Sequence, residues 1–363
     1  MILLHETDGG NRMAMNTGVK RIAGTKFILI REIRAGLWHE LHHILTQLLV
    51  AEILQRVPVV YWGKGSLYAP SDGSNAFEQF FLPVSGFNVQ DLPGGYFTYD
   101  PGHWDKAAAA PLSPLITLYP LSRLSPTEAM LMPAEDDSPA EAAVTITPVC
   151  GTGGNSKRQR HPLAECNVDV IVCDTYIDIE NVVPYIPEDH PLCGLKRRDL
   201  FACLIRKYIR LKDEVRDFID DFYNEHMRGA AFLAAHIRSS DKIFEVQHLH
   251  ELNGRYAAEI DKILDANPGM RLFLMTDCVE ILEEYRQKYG EILVHTECRR
   301  TCRDGMGVHF QEYPDNRLKG LEIIRDSWLA ARCDYFIGNG YSNVSSGISE
   351  LKDWEDGRIR LLY

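Results

Sequence analysis

The sequence predicts an α/β fold of two Rossmann-like domains facing across a cleft, on three observations. Short apolar runs alternate with amphipathic stretches over most of the chain. The first of these units reads strand, glycine turn, helix, strand. Several later strands end abruptly in charged, serine or glycine residues. The first two are the pattern of a parallel sheet covered by helices, and the third is where such sheets bind ligands. At 363 residues the chain exceeds one ordinary core, which favours two domains.

In chain order, "KFILIREIRAG" gives a strand from Phe27 to Ile33 and a turn at Gly36. "LWHELHHILTQLLVAEILQR" repeats apolar residues every three or four positions, the mark of a helix with one buried face. "VPVVYWG" closes the unit as a second strand. From Ala69 to Asn167, proline, glycine and alanine runs predict long loops and insertions. "VDVIVCD" restores a strand, and Leu200, Leu204, Tyr208, Val215, Ile219 and Phe222 mark two helices. "AAFLAAHIR", "MRLFLMTD", "EILVHT", "DYFIGNG" and "RIRLLY" are the strands of the second half. The intervening "HELNGRYAAEIDKILDANP", "CVEILEEYRQKYG", "LKGLEIIRDSWLAARC" and "SNVSSGISELKDW" are its helices. The division expected is a leader over 1–22, a first domain over 23–190 with the irregular insertions, and a second over 191–363.

Composition narrows the function. Net charge is −12, which argues against nucleic acid as partner. No run reaches the roughly 18 apolar residues of a membrane span, and the N-terminus lacks a signal-peptide pattern. The nine cysteines are scattered, with "CRRTC" the one close pair, so reduced thiols and a cytoplasmic location are expected.

The chemistry concentrates at strand ends. "HIRSSDK" offers Arg238, whose guanidinium can make paired hydrogen bonds to a phosphate; an ion pair with Asp241 or another carboxylate is the structural alternative. His236 is a donor to an anion or a partner for a backbone carbonyl. Thr276 and Asp277 end the next strand. In "GNGYSNVSS", Ser342, Asn343 and Ser345 stand at a helix N-terminus, whose free amides suit an anion as well as ordinary capping. Glu245 is a candidate base for a hydroxyl. His39, Glu40 and His43 spell HExxH, but no third zinc ligand follows, so no metal is expected. "GTGGNSK" lacks the second glycine of a phosphate loop.

"HIRSSDK" resembles the corresponding motif of α1,6-fucosyltransferases, including the bacterial nodulation type, and of protein O-fucosyltransferases. The glycine turn with its "ELHH" helix start, "FLPVS", "FLMTD" and "DNRLKGLEIIRDSWLAARCDYFIGNGYSNVSSGI" follow the family's order over roughly residues 27 to 350. The resemblance implies a GT-B-like enzyme that is inverting and metal-independent and takes GDP-fucose in its C-terminal half. No cofactor is implied. Arg238 would grip the β-phosphate, with His236 lining the nucleotide site and Gly36 at the turn. Asp326 would hold the guanine and Ile323 would pack on it. Ser342, Asn343 and Ser345 would serve the phosphates, with Asp277 shaping the site behind them.

Two positions depart from the pattern. Ser239 stands where many relatives have a second arginine, and the family's base falls on Val246, one residue past Glu245. The implied acceptor is a glycan or lipid-linked oligosaccharide, met in the cytoplasm or at a membrane surface. Tyr96, Tyr99, Trp104 and Tyr119 are candidates on that side for stacking on sugar rings, with aromatic core packing the favoured account of most of them. Another nucleotide sugar, or a non-catalytic protein that binds nucleotide sugars or glycans, are the alternatives.

Overall fold

The computed structural model describes residues 24–92, the backbone of a short strand at 99–100, and residues 160–363. The leader, "GTGGNSK", and Tyr96, Trp104 and Tyr119 lie outside the described residues, as does the side chain of Tyr99.

Two parallel sheets organise the chain. The first contains β1 (Phe27–Arg31), β2 (Val57–Tyr61), β3 (Tyr99–Asp100) and β4 (Val170–Cys173), in the order β2-β1-β4-β3. The second contains β5 (Phe232–Ile237), β6 (Arg271–Thr276), β7 (Leu293–Val294), β8 (Tyr335–Asn339) and β9 (Ile359–Leu362), in the order β7-β6-β5-β8-β9. All the pairings within both sheets are parallel, as the alternating pattern predicts. In the second sheet the order reverses direction between β5 and β8. A crevice opens at such a switch point because the connections leave to opposite sides.

Helix α1 (Leu37–Ile53) follows β1, and α2 (Arg197–Tyr208) and α3 (Asp213–His226) link the sheets. The stretch read as one helix after β5 is two, α4 (Leu249–Gly254) and α5 (Tyr256–Ala266), joined at Arg255. Then come α6 (Val279–Tyr289), α7 (Asn316–Arg332) and α8 (Asn343–Glu350). The strand expected from "EILVHT" keeps only two residues, because β7 is an edge that pairs with β6 alone.

Alternation along the strands decides which side chains meet the first half of the molecule. Leu233, Ala235 and Ile237 of β5 pack into the core on the outer face of the second sheet. Phe232 and Ala234 join the larger core, which also holds Ile28 and Ile30 of β1 and most of α1. Successive residues of a strand point to opposite faces, so His236 and Arg238 continue the inward row. In β6, Phe273 and Met275 set the same parity for Asp277.

Helices α1 and α8 lie against each other. A Cβ on Gly347 would fall about 2.1 Å from the Trp38 ring, so this glycine permits the approach. His42 Nε2 meets Glu350 Oε2 at 2.9 Å in the buried seam, and Trp38 Nε1 donates to Ser327 Oγ at 2.8 Å. No disulfide joins the cysteines among the described residues. No helix among them is long and apolar enough to cross a membrane.

Candidate active site

A cavity of about 470 Å³ opens at the carboxyl ends of both sheets, a size suited to a small organic ligand. Gly36, His236, Arg238, Glu245, Asp277, Ile323, Asp326, Ser342 and Asn343 all line it. Ser345 does not; it is fully buried behind the wall.

Arg238 faces the cavity but is not free. Its guanidinium pairs with Asp241 and with Asp277, and it donates to Ser240 Oγ. The ion-pair alternative therefore holds, with a second carboxylate added. Asp277 Oδ1 also accepts from the Ser239 amide at 2.9 Å. Ser240 adopts φ +49, a conformation that costs a non-glycine residue about 1–3 kcal/mol and persists only where surroundings impose it. Here the two carboxylates bracket its hydroxyl. A Cβ on Gly307 would come within 2.8 Å of Asp241, so the loop carrying Gly307 also holds this cluster in place.

His236 is buried, and Tyr256 donates its hydroxyl to the His236 carbonyl at 2.8 Å. Its Nδ1 lies 2.7 Å from Ser345 Oγ, and that oxygen accepts from the Asn339 amide at 2.9 Å. Burial, then the nearby Arg238, push the His236 pKa down to about 3, so the ring is neutral at pH 7.

The N-termini of α1 and α8 both reach this cavity, at Gly36–Trp38 and Ser342–Val344. Ser342 is the N-cap of α8, yet its side chain makes no capping bond. The helix's first backbone bond runs from Ser346 to Ser342, so the amides of residues 343–345 have no backbone acceptor. Unspent amides and the helix dipole together favour an anion.

At the α7 side, Ile323 and Asp326 stand one turn apart. Asp326 Oδ1 accepts from Thr296 Oγ1 at 2.8 Å and from Arg325 Nε at 3.1 Å; Oδ2 makes no hydrogen bond to a described residue. Glu245 pairs with Lys242 at the rim, and its side chain is 62% exposed.

The loop after β7 contributes residues that the sequence reading passed over: Cys298, Arg299, His309, Phe310 and Tyr313, with Lys319 from α7. Arg299 and Lys319 lie over the Tyr313 ring at 5.1 and 5.3 Å. Tyr313 donates to Glu322 at 2.9 Å. Burial lowers His309 to about 4 and raises Cys298 to about 12. The signal was present, since "EILVHT" ends on the same edge as the other strands and the rule about carboxyl ends applies to it equally.

The HExxH residues go separate ways. Glu40 accepts from the amides of Ile33 and Ala35, both at 3.0 Å, and so ties the β1–α1 turn; burial raises its pKa to about 8. His43 is fully buried and His39 lies edge-on to Tyr176 at 4.5 Å. Among the described residues no group of His, Cys, Asp or Glu is arranged to hold a metal ion.

No protein-family model matches the chain, and no curated protein does. Solved structures do. The fucosyltransferase NodZ from Bradyrhizobium, an α-1,6-fucosyltransferase also solved after soaking with GDP-fucose, superposes with TM-score 0.52 at 20% identity, over 90% of this chain and 92% of that one. A mutant of Arabidopsis thaliana FUT1 in complex with GDP gives TM-score 0.50 at 9% identity, over 91% of this chain and 69% of that one. The fold is therefore the α/β, GT-B-like fold of these enzymes.

Proposed function

We propose that this protein is an inverting, metal-independent glycosyltransferase that moves fucose from GDP-fucose to a hydroxyl of a glycan or glycoconjugate. The observation that carries the reading is the convergence of Arg238, a neutral His236 and the unspent amides of α8 on one cavity, at the switch point of the second sheet. The fold likeness to NodZ, solved with GDP-fucose, supports the donor.

In this reading the diphosphate lies between Arg238 and the first turn of α8. Ile323 packs on the guanine and Asp326 Oδ2 accepts from it. As the bond from fucose C1 to the β-phosphate breaks, charge grows on that phosphate. The amides and the neutral His236 meet it without moving far, which is how fixed donors lower a barrier, and Arg238 joins them by sharing or exchanging a carboxylate. Asp277 holds the turn that aims Arg238. The acceptor enters from the side of Gly36 and Glu245, with the first domain (23–190) facing it and the donor in the second (191–363). The protein works in the cytoplasm or on a membrane surface, on an acceptor that is a free or lipid-linked oligosaccharide, and it needs neither nucleic acid nor a cofactor.

A second reading rests on one observation: Arg238 and Glu245 are both already neutralised by neighbours. A protein that binds a nucleotide sugar without turning it over would keep such a site. Thermal shift with GDP-fucose, GDP-mannose and UDP-sugars, followed by GDP release on an oligosaccharide panel with and without chelator, separates the readings. Stabilisation by GDP-fucose with chelator-insensitive release is expected. Binding without release on any acceptor favours the second reading, and no response to guanosine diphosphates defeats both.

A further inference from the structure

Among the described residues, the acceptor side of the cavity holds a basic group in His39 that accepts and donates no hydrogen bond. His39, in the first turn of α1, lines the cavity, and its ring nitrogens make no hydrogen bond to a described residue. Around it stand Tyr176, whose ring it meets edge-on, His42 on its own helix, and Glu245 and Lys242 from the turn after β5. Glu245, by contrast, is held by Lys242 and largely faces solvent. A base must approach the hydroxyl it deprotonates to within a hydrogen bond, and a side chain already paired at the rim is poorly placed for that.

We infer that His39 is the general base that takes the proton from the acceptor hydroxyl, with Glu245 stabilising the imidazolium that results. The inference rests on the GDP-fucose reading of the cavity. The acceptor oxygen forms its bond to fucose C1 as the bond from C1 to the phosphate oxygen breaks. The electron pair leaves on GDP, and the acceptor proton passes to an unprotonated ring nitrogen of His39, to be lost later to water. Burial, then His42 and Lys242, hold the His39 pKa below its ordinary 6.5, and Glu245 opposes them. The ring is therefore neutral and able to accept a proton at pH 7.

The test uses the full-length protein, with GDP release in the presence of acceptor read against pH and GDP affinity measured alongside. His39→Ala is expected to lower kcat by about 10²–10⁴-fold, with the dissociation constant for GDP unchanged and activity partly restored by added imidazole. In the wild type kcat falls as pH drops through a pKa below 6.5; that acid limb is absent in His39→Gln and survives in Glu245→Gln at a lower apparent pKa. If Glu245→Gln abolishes the limb while His39→Gln keeps it, or if imidazole restores nothing, the assignment is overturned. If wild-type protein fails to bind GDP, the donor reading falls and takes this one with it; GDP binding with the wrong variant response sinks the base alone.

Discussion

The turn after β5 and the first turn of α8 border the same cavity, yet they offer an anion two different kinds of positive charge. Arg238 brings a full charge that arrives already matched by Asp241 and Asp277. The amides of Asn343 and Val344, which line the cavity, bring only partial charge, but nothing in the helix can satisfy them. A side-chain cation recruits counter-ions during folding, whereas helix-end donors stay unpaired because the helix supplies no acceptor. A diphosphate can therefore meet α8 without rearrangement, while Arg238 must share or exchange a carboxylate. On the proposed reading this orders the two contacts: α8 would anchor the nucleotide, and Arg238 would engage as charge develops on the leaving phosphate.

Within this comparison the largest expected effect follows from removing the cation. Arg238→Ala should lower turnover by about 10²–10³-fold, the usual loss for a fixed donor at a developing charge. It also leaves Asp241 and Asp277 facing each other without a counter-ion. Urea unfolding should register that as a loss of about 3 kcal/mol, so the variant is a weaker fold as well as a poor catalyst. Near-normal turnover would break the comparison outright. A smaller effect tests α8. Asn343→Pro deletes one amide at the first helical position, where proline is tolerated, and Ser342 before it is extended at φ −108, ψ 126, as a residue preceding proline should be. GDP affinity should fall about tenfold, roughly 1.4 kcal/mol, with little change in Tm. Unchanged affinity by calorimetry would take α8 out of the binding site.

Smaller again, and opposite in sign, is the effect of releasing Arg238. Asp241→Asn should tighten GDP binding about three-fold, since one competitor for the guanidinium becomes neutral. Asp277→Asn should not tighten it, because Asp277 also holds the Ser239 amide and lies beside the Ser240 hydroxyl. Equal responses in the two variants would mean that the carboxylates are interchangeable and that the turn is not set by Asp277.

These contacts differ in how far the sequence reveals them. The inward row of His236, Arg238 and Asp277 follows from strand parity once "FLAAHIR" and "FLMTD" are read as strands. The first turn of α8 follows from serine and asparagine placed just after a glycine-bounded strand. Both are local patterns. The pairing of Arg238 with Asp277 joins residues 39 positions apart through the adjacency of β5 and β6, and strand order is not written in any one segment. The loop around His309 and Tyr313 is set by distant contacts, such as Lys319 Nζ donating to the His309 carbonyl at 3.1 Å and to the Leu67 carbonyl at 3.3 Å. No periodic pattern announces it. The break at Arg255 was equally hidden, since both halves of the α4–α5 run carry helical spacing.

The sharpest test of the wall between the two turns is read in stability rather than activity, and it comes from acid. His236 joins them: it lies two residues before Arg238 and hydrogen-bonds Ser345 of α8. Its folded pKa of about 3 lies below the unfolded value of 6.5, first through burial and then through Arg238. Between those values the unfolded chain takes up a proton that the folded one refuses. Stability is therefore present above pH 6.5 and is lost as pH falls towards 3, by up to about 1.4 kcal/mol per unit for one such group. His43 and His309, each pushed down to about 4 by burial, act in the same direction. Glu40 opposes them: its folded pKa of about 8 gives stability that is present below 4.5 and lost as pH rises through 8. His39 and His161, also held low first by burial, add to these histidines, and Glu322, raised by burial, adds to Glu40. Five histidines against two carboxylates should still make the protein weaker at pH 5 than at pH 7. His236→Gln removes one of the five, so its urea midpoint should shift less between those pH values than that of the wild type. Identical shifts would mean that His236 takes a proton in the folded state, and a charged imidazole there would join Arg238 as a second cation at the proposed phosphate site, reversing the priority given to α8.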